Sequence, residues 1–153
     1  MPLAGAVLLT LLIFAPQDDL TEARKAVAAA PGDFTAHFNL AFALTQQHQD
    51  EEAIAEYRRT LDLKPALYEA DLNLGILLLR NKRAAEALPV LKEAAAAKPD
   101  ESRPNIYYAQ ALLDTGDAAG AEQRFAAAAT ADPKNLAAKQ GLARALLAGQ
   151  KLP

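Results

Sequence analysis

The sequence predicts an all-α protein built from repeated helix pairs, and three observations point there. First, 37 of the 153 residues are Ala and 25 are Leu. These types head the helix-propensity ranking, while the β-branched residues that favour strands are few. Second, prolines fall at Pro31, Pro65, Pro99 and Pro133, three successive intervals of 34 residues, and periods of this size mark stacked repeat architectures. Third, apolar residues recur at i and i+4 within each interval, the spacing of one helix face. The length suits one domain with a single core.

The elements follow in chain order. Leu3–Ala15 (LAGAVLLTLLIFA) is uncharged and mostly apolar. As a helix it would span about 20 Å, short of the roughly 30 Å hydrocarbon core of a membrane, yet it matches the apolar region of a secretory signal peptide. No Lys or Arg precedes it, Ile13 is large two places before the cleavage position at Ala15, and Pro16 follows. Export from a bacterium, to the periplasm or cell envelope, is the expectation for residues 1–15. The alternatives are an uncleaved membrane tether, or an apolar helix packed on the next element, which leaves the protein cytoplasmic.

Residues 16–33 follow, where Asp18-Asp19 precedes Leu20–Ala30 and a degenerate capping helix is expected. Three full repeats come next, 34–67, 68–101 and 102–135, each a first helix, a polar turn and a second helix. Residues 136–153 supply a closing half repeat, with its helix over Leu136–Ala148 and a stop at Gly149. Asp33 and Ser102 stand where N-caps are needed, and Pro104 falls in a first turn. Glu51-Glu52 opens a second helix at the positive end of its dipole, and Lys64 and Lys98 lie at negative ends. Each repeat's proline ends a second helix, because it disfavours α geometry in the residue before it. Pro89 lies inside a second helix and predicts a modest kink. A small-residue seam, Ala41, Gly75, Ala109 and Ala143 facing Ala53, Ala87 and Ala121, marks the closest helix approach.

Aligned on the prolines, the copies read Leu40-Ala41-x-x-Leu44…Ala53-x-x-x-Tyr57…Pro65, then Leu74-Gly75-x-x-Leu78…Ala87-x-x-x-Leu91…Pro99, then Tyr108-Ala109-x-x-Leu112…Ala121-x-x-x-Phe125…Pro133, with Leu142-Ala143-x-x-Leu146 at the end. This pattern resembles the tetratricopeptide repeat (TPR) in spacing and period. The chain departs from it at the fourth position, often Trp in the family, where His37, Asp71, Asn105 and Lys139 stand. With no large apolar residue there, marginal stability is expected.

The resemblance implies an α-solenoid, a right-handed superhelical stack whose first helices line a concave groove for peptides. The family's groove positions map to Phe38, Asn39, Phe42, Leu72, Asn73, Ile76, Arg80, Arg103, Ile106, Tyr107 and Gln110. Asn39 and Asn73, one repeat apart, resemble the asparagine ladder of O-GlcNAc transferase repeats, whose amides pair with any peptide backbone. Local backbone capping is the alternative role. Phe38, Phe42, Leu72, Ile76 and Ile106 form an apolar row that serves either an interface or packing between helices. The family's carboxylate clamp is largely missing, because Phe38 and Phe42 replace its Lys and Asn and Tyr107 replaces an Arg.

Other chemistries find little support. Cysteine is absent, Ser102 is the sole serine, and the two histidines, His37 and His48, lack a third ligand nearby. No catalytic residue, cofactor or metal site is assigned. A formal net charge of −3 argues against nucleic acid. Arg80-Asn81-Lys82-Arg83 reads as a solvated turn. The expected function is a non-catalytic interaction module whose partner is a protein or peptide not specified by sequence. Membrane association through residues 1–15 and a homo-oligomer are further expectations. The alternative function is a self-associating structural or assembly protein of the bacterial envelope.

Overall fold

The period written in four prolines sets the start of every helix. A computed structural model describes residues 16–150, and among them it holds α1 (Pro16–Ala29), α2 (Phe34–Gln46), α3 (Asp50–Leu63), α4 (Tyr68–Arg80), α5 (Ala84–Ala97), α6 (Ser102–Asp114), α7 (Ala118–Ala131) and α8 (Leu136–Gly149). No strand occurs among the described residues. The odd-numbered helices start 34 residues apart, and so do the even-numbered ones. Among the described residues α1 is therefore a second helix without its first, and α8 a first helix without its second. The reading of residues 1–15 as a targeting segment lies outside the described residues.

Each second helix stops two residues before its proline, as the restriction on pre-proline residues requires. The turns inside the pairs also repeat: His48, Lys82 and Gly116, again 34 apart, adopt φ of 57°, 59° and 94°. His48 thus serves a tight turn. α5 runs through Pro89 as one helix, and Gly149 is the last helical residue, with Gln150 as the cap. Asp33 caps α2 by accepting from the Thr35 N–H at 2.9 Å. Ser102 does not act as expected. It is the first helical residue of α6, Glu101 holds the cap position, and the serine hydroxyl is buried without a partner.

Leu40, Ala41 and Leu44 of α2 meet Ala53, Ile54 and Tyr57 of α3, and this core continues through Leu74, Leu77 and Leu78 of α4 to Ala87 and Leu91 of α5. A second core joins Ala109 and Leu112 of α6 to Phe125 of α7 and Ala145 of α8. Leu88 and Tyr108, each partly buried, touch both. The small-residue seam is fully buried at Ala41, Ala53, Ala87, Ala109 and Ala121, and Leu91 occupies the space a side chain on Gly75 would need. The seam fails at Ala143, which is exposed. α8 packs on α7 through Ala138, Gly141 and Ala145, with the Phe125 ring filling the place of a Gly141 side chain. Nothing among the described residues covers the face that Ala143 occupies.

Polar residues replace the bulky fourth-position residue by tying the helix to the preceding turn. His37 Nε2 lies 3.0 Å from the Pro31 carbonyl oxygen and Nδ1 lies 2.6 Å from Glu56 Oε2. Asn105 donates to the Pro99 and Glu101 carbonyls, both at 2.9 Å. Asp71 is buried at the same register, where an ionised carboxylate has no hydrogen to donate. Burial, and then the Glu93 charge, raises its pKa to about 6. A raised folded-state value means the native state holds the proton more tightly than the unfolded chain. The destabilisation is therefore present above about pH 6 and fades as pH falls through that value. Asp71→Asn should stabilise the protein by about 2 kcal/mol at pH 7.5 and change little at pH 4. Urea denaturation at the two pH values checks this, and a pH-independent difference would rule out the ionisation argument.

Ion pairs link successive second helices. Arg24 donates to both Glu52 oxygens at 2.6 and 2.8 Å, and one repeat later Arg58 pairs with Glu86. Glu86 also accepts from Arg83 at 2.8 and 2.9 Å, and Arg83 with Arg58 draws its carboxyl down to about 2. These pairs are exposed and align the stack more than they stabilise it.

Candidate functional site

The first helices face a row of open clefts. One, of about 720 Å³, lies between α1 and α2 and is lined by Asp19, Glu22, Ala23, Asn39, Phe42 and Gln46 among others. A second, of about 430 Å³, lies between α2 and α4, where Phe38, Asn39, Phe42, Leu72 and Asn73 meet Lys98, Glu101 and Arg103. A small recess beside it is lined by Phe42, Tyr57, Asn73, Ile76, Arg80 and Arg103. Farther along, Ile106, Tyr107 and Gln110 of α6 face Gln140 and Arg144 of α8. The groove residues expected from sequence thus fall into two groups. Those on α2 and α4, with Arg103, share connected walls, whereas Ile106, Tyr107 and Gln110 line a separate cleft.

The apolar row is narrower than its register implies. Leu72 is 4% exposed and belongs to the core. Ile76 and Ile106 are half-buried. Phe38 turns edge-on to Tyr57, ring centroids 5.8 Å apart, and is half-buried too. Phe42 alone of this row is open, at 50% exposure. A benzyl group held out by a buried helix is a preformed apolar contact for a partner side chain.

The polar residues differ in how committed they are. Asn39 is exposed and Asn73 half-buried, both on the groove side. Arg80 is drawn away, since it and Asn81 both donate to Asp50, Asn81 at 2.7 Å. Arg83 turns to Glu51 and Glu86. The basic run is therefore an ion-paired turn and not an anion site. Gln110 donates to Asp114 and accepts from Arg144 at 2.8 Å. Arg144, 34 residues after Gln110, joins this surface from the closing helix. Tyr57 joins it as well. Its hydroxyl is buried with no partner in hydrogen-bond geometry, burial pushes its pKa up, and the nearby Thr45 and Asn73 oppose that rise. Its recurrence with Leu91 and Phe125 marks it as scaffold. Only packing shows that its buried ring backs the small recess beside the groove.

The rim charges are uneven, with Asp19 and Glu22 at the α1 end and Lys98 and Arg103 over the cleft between α2 and α4. The Tyr68 hydroxyl donates to Glu101 at 2.9 Å, and burial with that carboxylate pushes its pKa up to about 12. Among the described residues no group of His, Asp and Glu could hold a metal ion, and no helix is long and apolar enough to cross a membrane. His37 is consumed by Glu56 and the Pro31 carbonyl, and the Ser102 hydroxyl is buried without a hydrogen-bond partner. What the surface offers is apolar contact, amides and cations around open clefts, which is recognition chemistry.

Comparison with known proteins agrees with this architecture. One family model described as tetratricopeptide repeat matches residues 16–67 and 51–102, and another matches residues 78–128. No curated protein matches the sequence at a significant level. Among solved structures, MamA from Desulfovibrio magneticus RS-1 (residue 41 to its end) is 22% identical over 86% of this chain and 75% of that chain, with a TM-score of 0.81. YrrB, described as a TPR protein with an unusual peptide-binding site, is 18% identical over 89% of this chain and 79% of its own, at a TM-score of 0.74. The first TPR domain of Spaghetti (RPAP3), bound to the HSP90 peptide SRMEEVD, is 18% identical over 82% and 94% respectively, at 0.67. At these identities the likeness is one of fold.

Proposed function

The chain belongs to the tetratricopeptide repeat family, and from that premise we propose that it is a non-catalytic protein-interaction module taking an extended partner segment along α2 and α4. The carrying observation is the half-exposed Phe42 ring between Asn39 and Asn73 in one walled cleft. The ring contacts an apolar partner side chain, and the two amides both donate to and accept from its backbone. Arg103 and Lys98 at the rim favour an acidic residue in the same segment. The peptide-bound Spaghetti (RPAP3) domain and the peptide-binding site of YrrB support this reading by shared fold.

The test is an array of unstructured peptides, with the strongest binder titrated against variants. Phe42→Ala should weaken it at least tenfold, and Asn39→Ala with Asn73→Ala by about thirtyfold, at roughly 1 kcal/mol for each of the two amides. Phe42 is half-exposed, so its loss should leave the melting temperature nearly unchanged. Unchanged affinity for every peptide would remove the groove from the account. For residues 1–15 we propose a targeting role, supported by the uncharged apolar run Leu3–Ala15. Mass spectrometry of the amino terminus of protein from its native host tests it, and an intact, untethered leader would end it.

A further inference from the structure

The described residues begin and end on half repeats of opposite kind. In a complete repeat, the second helix covers the apolar register of the first, so Leu40, Ala41 and Leu44 are buried with Ala53 and Tyr57. On α8 the same register is Leu142, Ala143 and Leu146, and there Ala143 is exposed and Leu146 is 40% exposed. α1 has the converse shortage. Its bounds are those of α3 shifted by one repeat, and Ala23 and Ala26 line the open cleft against α2 where a first helix would lie.

Charge repeats the match. Within the first full repeat, position four meets position twenty-three, with His37 Nδ1 at 2.6 Å from Glu56 Oε2. On the two unpaired helices of the described residues those registers hold Lys139 on α8 and Glu22 on α1, both exposed, with Glu22 accepting from Lys25 of its own helix at 2.8 Å. We propose that a second copy of this chain occupies the cleft: α8 of one copy seats between α1 and α2 of the next. The contact supplies the pairing that α1 and α8 lack among the described residues and continues the stack head to tail. Such an interface is heterologous and does not close on itself, so it yields open chains of varying length. Asp19 stands where Ala53, Ala87 and Ala121 stand in the complete repeats and faces the same cleft. A carboxylate against an apolar helix keeps the contact weak and reversible.

Sedimentation velocity of the full chain over rising concentration tests the proposal. The weight-average coefficient should climb without a plateau at the dimer. Leu146→Asp should leave monomer, and Asp19→Ala should tighten association. Lys139→Glu and Glu22→Lys should each weaken it about fivefold, and the two together should restore it. All four positions are exposed, and circular dichroism confirms that each variant is folded. A monomer at every concentration overturns the proposal. So does a closed dimer indifferent to Glu22→Lys, which means two α8 faces paired together. So does association that survives Leu146→Asp, which points to residues 1–15 or the peptide groove as the adhesive surface.

Discussion

Phe125→Ala is expected to cost about 3–5 kcal/mol and to release the C-terminal end of the stack while its beginning stays folded. Phe125 is fully buried, and its ring joins Ala109 and Leu112 of α6, Ala121 of α7 and Ala145 of α8. The ring also fills the space above Gly141, so α8 has shaped itself to that side chain. α8 buries only Ala138, Gly141 and Ala145, and three small residues hold little apolar area. In a solenoid each repeat touches only its neighbours, so damage stays local. Urea denaturation should show the cost, and hydrogen exchange should show α7 and α8 losing protection while α2 to α5 keep theirs. A loss under about 1 kcal/mol, or a uniform loss of protection, would contradict this account.

Gly75→Leu is expected to destabilise the protein by roughly 1–3 kcal/mol through overpacking at the centre of the stack. Gly75 lies in α4 under the Leu91 side chain, which is itself fully buried in α5 and occupies the space a Cβ would need. Better helix propensity at this position returns up to about 1 kcal/mol, so the steric loss must exceed that gain to be seen. Combining the substitution with Leu91→Ala separates the two effects. If overpacking is the cause, the double variant should be more stable than the sum of the single changes requires, a coupling above 0.5 kcal/mol by urea titration. Additive behaviour would place the cost elsewhere.

Much of this architecture was legible because one period governs several features at once. The interval between Pro31, Pro65, Pro99 and Pro133 sets the helix starts, the buried alanines and the place of Phe42 and Asn73 on the groove side. Other features keep the same period, yet their partners lie on different helices. Arg24 and Arg58, with Glu52 and Glu86, recur one repeat apart and pair between second helices. Lys64 lies 4.3 Å over the Phe34 ring and Lys98 4.1 Å over the Tyr68 ring, again one repeat apart. The apolar pattern fixes which face of a helix turns inward, and charges matter only through partners on other helices. For the same reason Arg80 looked like a groove cation until Asp50, on a different helix, claimed it.

The seam shows the division most clearly. Register alone assigns Ala41, Gly75, Ala109 and Ala143 one role, because helical geometry returns a residue to the same face wherever the spacing is kept. Packing alone separates them. The first three are buried under second helices, while Ala143 is exposed and Gly141 takes the close contact with Phe125. Likewise Leu72 became core and Phe42 stayed open, although both belong to the apolar row. A period specifies where a side chain points. Whether anything stands opposite it depends on neighbours that the period does not describe, above all at the two ends of the stack.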